Sequence, residues 1–173
     1  MRKVPQMKSQ DLVILLKIAG LSQLDWQQLH LAHSLRLSQG EISQSLNRSK
    51  YAGLIDESGK KVMRLALVEF LRYGLPYVFP QRPGAVVRGI PTAHSALPLS
   101  NIIQSNEKYV WPSALGTVRG QCINPLYPSV VYAIESDAKF YQLMALTDAL
   151  RVGRAREKDI AFTELKSIIL NGE

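Results

Sequence analysis

The feature that most constrains this chain is the stretch Leu35 to Leu54, in which a helix start is spelled out in side-chain chemistry. Ser38 offers an N-cap hydroxyl to a free backbone N–H of the following turn. Glu41, three residues on, offers a carboxylate to the Ser38 amide, which completes a capping box. Past the cap, Ile42 and Leu46 stand at i, i+4 with Ser45 and Ser49 beside them, so this narrow side is predicted to be buried. The opposite side carries Gly40, Gln44, Asn47 and Tyr51, flanked by Ser43 and Arg48, and no carboxylate. Amides, hydroxyls and a guanidinium on one helix face suit base edges and phosphates in a groove, although any solvated helix is also polar outside.

The segment before it strengthens the nucleic-acid reading. Asp25 is expected to cap a helix beginning Trp26-Gln27-Gln28, with Trp26, Leu29, Ala32 and Leu35 as its apolar stripe. A small Ala32 between Leu31 and Leu35, followed by Leu37, Ile42 and Leu46, is the pattern of two helices crossing closely about a tight turn.

On these residues the stretch Ser9 to Asp56 resembles bacterial helix-turn-helix regulators, particularly the winged-helix superfamily that includes MarR-type and ArsR-type repressors. The resemblance implies that the second helix supports and the third reads the major groove, with Gln39, Gly40, Ser43, Gln44, Asn47 and Arg48 as contacts. Two departures accompany it. Arg36 holds the turn position usually given to Gly, which requires either a more open turn or an arginine kept there for its charge. Only Asp56 to Lys61 separates the unit from the next apolar run, so a wing is expected to be short or absent.

Charge agrees with a polyanionic partner. The 173 residues hold 21 Lys+Arg against 14 Asp+Glu, a net +7. Residues 1 to 75 hold 11 basic and 6 acidic side chains, a net +5, against a net +2 from 10 and 8 in the remainder. Arg2, Lys3 and Lys8 form a basic arm that either lies along a DNA backbone or simply solubilises the terminus. A single Cys122 excludes an internal disulfide and a cysteine zinc site. Met1 to Pro5 lacks a secretory apolar core and no run reaches membrane-spanning length, so a cytoplasmic bacterial protein with no membrane partner is expected.

Elsewhere, Ser9-Gln10-Asp11 is expected to cap an apolar helix, Leu12 to Ile18, that acts as scaffold and ends at Gly20. Lys60, Lys61 and Arg64 would carry the phosphate contacts of any wing. A run apolar on most sides, Val62 to Tyr73, is predicted to be a helix buried between layers or against a second copy. Eight of nine prolines then fall between Pro76 and Pro128. In that region 85–90 and 116–123 share a Val-Arg-Gly echo that could pair them as strands, with Tyr109-Val110-Trp111 as a third. His94, between Thr92 and Ser95, with Arg88 and Arg119 as anion clamps, is a candidate small-ligand site; a proline-stiffened loop accounts for the same residues.

Ser136 is expected to cap a helix to Val152 whose inner stripe is Phe140, Leu143, Met144, Leu146, Thr147 and Leu150. After Gly153, a helix from Ala155 to Leu170 closes a hairpin whose corner gathers Arg151, Arg154, Arg156 and Lys158. These bind phosphate or pair with Asp148, Glu157 and Asp159. His30 and His33 lie one helical turn apart but lack further metal ligands in sequence, and no nucleophile-and-base constellation can be assembled.

The resulting expectation is an α+β fold, mostly α: a helix-turn-helix domain over residues 1–75, winged-helix-like, then an α+β region over 76–173 with a small antiparallel sheet and a C-terminal helical hairpin. Its expected role is a sequence-specific DNA-binding transcriptional regulator and not an enzyme, without cofactor or metal, acting as a homodimer on double-stranded DNA. Phosphate contacts would come from Arg36, Arg48, Lys50, Lys60 and Lys61, with Gln39, Ser43, Gln44 and Asn47 reading bases and Ser38 and Gly40 completing the DNA-binding set. The second region would dimerise or take a small-molecule or protein effector. Two other readings fit the same chain: a protein-interaction module, antitoxin-like or adaptor, that keeps the helix-turn-helix as scaffold, and a ligand-binding domain around His94.

Overall fold

The computed structural model describes residues 4–22 and 25–171, so the part of the basic arm formed by Arg2 and Lys3 lies outside the described residues. Helices α1 (Ser9–Gly20), α2 (Gln28–Leu35), α3 (Gln39–Tyr51), α4 (Arg64–Tyr73) and the single turn α5 (Leu75–Val78) precede three strands, β1 (Val86–Pro91), β2 (Tyr109–Pro112) and β3 (Val118–Cys122). The short α6 (Val130–Ala133) then leads into the hairpin of α7 (Ala138–Val152) and α8 (Ala155–Leu170). The fold is α+β and mostly helical.

Helix α1 is the axis of the molecule. Leu12 through Leu16 are fully buried, and the helix packs against α2, α3, α7 and α8 at once. Its cap is one residue earlier than expected: Lys8 is the N-cap, and its amide donates to the Asp11 carboxylate at 2.8 Å. A helix apolar on every side needs partners on every side. Those partners come from both halves of the chain, so a single hydrophobic core runs from Leu12 to Ile169 across the expected boundary at residue 75. The one cation in α1, Lys17, is buried against the Phe140 ring and pairs with Asp137 at 2.6 Å. Desolvation raises the Asp137 pKa, but the Lys17 ammonium and the Phe140 amide outweigh it, and the carboxyl stays below its ordinary range. Asp137, not Ser136, is the N-cap of α7, because its carboxylate accepts the Phe140 N–H at 2.8 Å. The expected inner stripe of α7, Phe140 to Leu150, is buried throughout.

The second helix starts at Gln28 behind a Gln27 cap with no side-chain bond, so Asp25 does not cap it, and Leu29 points outward at 56% exposure. Leu31, not Leu29, joins Trp26, Ala32 and Leu35 in the core. The apolar run expected as a helix from Val62 divides at Met63. Ile55 and Val62 instead form an antiparallel bridge, reinforced by Met63 N–H to Leu54 O, so 54–63 is a minimal hairpin after α3. The run from Arg64 onward then buries only Leu67, Val68 and Leu71 fully, leaving Leu65 68% exposed.

Asp56 organises the hairpin loop. Its carboxylate accepts the Lys60 and Lys61 amides at 3.0 and 2.9 Å and the Ser58 hydroxyl at 2.7 Å. The Lys61 amide, first among these, holds its pKa down from 3.8 to about 2. Because the folded pKa lies below the unfolded one, this contribution is complete above 3.8 and disappears as pH falls through about 2. Amide protection across residues 57–61 is therefore expected to hold from neutral pH to about 4 and to fade below it. Hydrogen exchange on wild type and Asp56→Asn checks this, since the variant should lack the acid step.

The three strands close on themselves. β1 pairs antiparallel with β3, setting Arg88 opposite Arg119 and Val87 opposite Gly120, and antiparallel with β2, setting Ile90 opposite Trp111. The two echo motifs thus pair with each other about their arginines. β2 and β3 run parallel, so the sheet is mixed and not wholly antiparallel. Closure with so few strands needs close backbone approach. A Cβ on Gly89 would lie 2.0 Å from the Trp111 carbonyl oxygen, and one on Gly116 would lie 2.0 Å from Gly89.

The sheet is fastened to α7 by Asp148, which is fully buried. One carboxylate oxygen accepts from the Thr92 hydroxyl at 2.8 Å and the Trp111 indole at 2.6 Å, and the other accepts from Arg151 at 2.8 Å. Burial raises this carboxyl above its ordinary range, and Arg151, Thr92 and Trp111 offset only part of that rise. Three donors and no acceptor face it, the set an ionised carboxylate requires. Arg151 also donates to the Phe79 and Asn124 carbonyls at 3.0 Å, so it belongs to the interior and not to a phosphate-binding corner.

Candidate nucleic-acid interface

The turn between α2 and α3 is tight. Arg36 takes the left-handed conformation, φ 52° and ψ 45°, and the Leu37 amide donates back to Ala32 O at 2.9 Å, as a helix ending of this type demands. A non-glycine residue there costs about 1 kcal/mol. The Arg36 guanidinium lies 4.2 Å over the Tyr132 ring, a contact of about 0.5–1 kcal/mol that offsets the strain.

Helix α3 then opens through the predicted box. Ser38 Oγ accepts the Glu41 N–H at 3.1 Å, and Glu41 Oε2 accepts the Ser38 N–H at 2.9 Å. The other Glu41 oxygen accepts from Gln10 and Tyr127 at 3.3 and 3.4 Å. The Ser38 amide and hydroxyl, in that order, hold the Glu41 pKa below its ordinary value. The only carboxylate of α3 is therefore bound at its N-terminus and does not lie along its outer face.

The inner face is as expected: Ile42, Ser45, Leu46 and Ser49 are buried, and the small serines let α3 lie close against its neighbours, their hydroxyls without partners. Gln39, Gly40, Ser43, Gln44, Asn47 and Tyr51 are exposed. Among the described residues, none of the side chains of Gln39, Ser43, Gln44 and Asn47 forms a hydrogen bond within the chain, leaving their donors and acceptors available.

The expected cations divide. Arg48 turns back along α3 and grips the fully buried Asp11 of α1, Nε at 2.9 Å from one oxygen and a terminal nitrogen at 2.7 Å from the other, with its side chain 13% exposed. The Asp11 hydrogen bonds raise its pKa further. As a phosphate contact Arg48 is thus corrected to an internal strut, because the lone buried carboxylate of α1 requires a counter-charge. Lys60 is likewise engaged: its ammonium donates to Trp26 O at 2.8 Å and lies 4.4 Å over the indole, which donates to Lys60 O at 3.1 Å. Arg64, expected among the phosphate contacts of a wing, donates to the carbonyls of Ala19 and Ile169, at the C-terminal ends of α1 and α8. Lys50 is half-buried, with its end against Gly59. Lys61 is exposed and forms no side-chain hydrogen bond or ion pair with the described residues, and Arg36 is exposed above Tyr132.

The second candidate site does not assemble as a unit. His94 is buried, its Nε2 2.8 Å from the Glu107 carbonyl and its ring edge-on to Tyr109, with Nδ1 unpartnered. A carbonyl can only accept, so Nε2 carries the proton. Arg88 and Arg119 instead stand on the outer surface, Arg88 donating to the Gly116 and Ala114 carbonyls. His30 and His33 are exposed, and no three metal-ligating side chains gather among the described residues. No helix among the described residues is long and apolar enough to cross a membrane.

Aligned against protein-family models, curated proteins and solved structures, the chain matches none of them.

Proposed function

We propose that this chain is a cytoplasmic, sequence-specific DNA-binding transcriptional regulator, a binding protein that works as a homodimer and enters the major groove with α3. The observation that carries the reading is the outer face of that helix. Gln39, Ser43, Gln44 and Asn47 project their polar groups into solvent, unspent on the protein, beside a Gly40 that admits close approach and with Glu41 withdrawn into the cap. Asn and Gln can pair bidentately with adenine, and the N-terminal turns of a groove-entering helix are where such contacts fall. Lys61 in the hairpin and Arg36 in the turn supply exposed cations at either end. The exposed Leu65 and Met63, beside Leu170, form an apolar patch that supports docking of the second copy there.

The test is selection of bound duplexes from a random pool, followed by Gln44→Ala with Asn47→Ala. Each bidentate pair is worth about 1–3 kcal/mol of discrimination, so the double variant is expected to lose roughly 30-fold or more in preference for the selected site. Its salt dependence should stay unchanged, because neither residue neutralises a phosphate. Selected duplexes without a common sequence, or a preference indifferent to both changes, would refute the reading.

A further inference from the structure

The closed sheet presents an arrangement that the α3 reading leaves unused. Arg88 on β1 and Arg119 on β3 are directly opposite in an antiparallel register, which puts both side chains on one face, and both are exposed. Like charges directly opposite across strands repel and destabilise the pair. The segment that carries them offers little to neutralise them: residues 70 to 134 contain five Lys and Arg and one carboxylate, Glu107, which faces Arg154 at 3.8 Å and lies with Glu157 beside Tyr109 of β2. Arg88 is also pre-positioned. Its Nε and one terminal nitrogen donate to the carbonyls of Gly116 and Ala114, which fixes the guanidinium plane and leaves three of its five N–H groups for another acceptor. The Arg119 side chain forms no hydrogen bond or ion pair with the described residues. Two guanidiniums on one face of the sheet, one fixed by two carbonyls and one without partners among the described residues, make a fork for a tetrahedral oxyanion.

We infer that this face holds a second phosphate-binding site, in which Arg88 and Arg119 grip a backbone phosphate of the same duplex that α3 enters. The inference rests on the regulator reading for its source of phosphate, and stands on the strand register for its geometry. The site carries no sequence information; it adds affinity and fixes the orientation of the sheet on the flank of the operator.

The experiment compares wild type with Arg119→Gln and with Arg88→Gln plus Arg119→Gln. It uses a long duplex carrying the selected site and, separately, inorganic phosphate, with thermal melting as the fold control. Arg119→Gln removes a side chain without internal partners and should melt as wild type, so it keeps the test open if the double variant folds poorly. The double variant is expected to bind the duplex about tenfold more weakly at 0.1 M salt, with the slope of log K against log salt flattened by about one to two and site preference unchanged. Arg119→Gln alone should give about half that flattening. Phosphate should shift the side-chain Nε–H resonances of Arg88 and Arg119 saturably in wild type. Duplex binding with a slope identical in all three proteins overturns this inference and leaves the α3 reading standing. No duplex binding by wild type overturns the α3 reading, and with it the duplex as source; a saturable phosphate response would then reassign the fork to free phosphate, and no response would remove the site altogether.

Discussion

Asp148→Ala is expected to lower the stability of the folded chain by about 3–5 kcal/mol, the cost of removing one partner from a buried, hydrogen-bonded charge pair. The carboxylate receives Thr92, Trp111 and Arg151, and its removal leaves a guanidinium that is only 6% exposed facing no opposite charge, with an indole N–H and a hydroxyl bereft of their acceptor. Asp148→Asn preserves the shape and should recover little. If its oxygen faces Thr92 and Trp111, its NH₂ confronts the donating edge of Arg151; turned over, it confronts the other two donors. Urea melts read the result as a lower midpoint at unchanged slope, and in a chain of this size the melting temperature should fall by roughly 10 °C. An Asn variant as stable as wild type would show that the cluster does not depend on the ionised carboxylate.

Contacts of this kind join residues far apart in the chain, which explains what could and could not be read from the sequence. The capping box at Ser38, the buried side of α3 and the inner stripe of α7 are each encoded within a dozen residues, by periodicity and by side chains that bond their own backbone. The structure reproduces each of them. The strand pairing was legible for a similar reason, since the two Val-Arg-Gly copies fall in mutual register.

Charged side chains were read less well, because the identity of a partner is not local. Arg48 finds Asp11 at a separation of 37 residues, Lys60 finds Trp26 at 34, and Arg64 finds Ile169 at 105. One signal for the first was present. A single Asp11 at the head of a run with no other charge before Lys17 is a carboxylate that folding must bury, and a buried carboxylate draws an arginine. At α7 the cap goes to Asp137, one residue past Ser136, and α2 begins behind Gln27 with no side-chain cap at all. A short helix of eight residues permits two phases of the same stripe, which is why Leu31 and not Leu29 is buried.

Arg48→Ala is expected to weaken the fold by about 3–5 kcal/mol, because it strands a wholly buried carboxylate between α1 and α3. Asp11→Ala should cost about as much, with the added loss of the acceptor for the Lys8 amide at the head of α1. The double variant Asp11→Ala with Arg48→Ala should be less destabilised than the sum of the two, since neither charge is then left alone, and a double-mutant cycle in urea measures that coupling. The same variants separate the two roles open to this arginine. As an internal strut, Arg48→Lys keeps the charge but gives up the two-nitrogen grip on Asp11, so it should lose stability while the salt slope of duplex binding stays at the wild-type value. As a phosphate contact, Arg48→Ala would flatten that slope by about one and leave the melting temperature nearly untouched. The three bonds to Asp11 favour the first outcome: they tie α3 to α1, hold its rotation about its own axis, and so decide which side chains of that helix face outward.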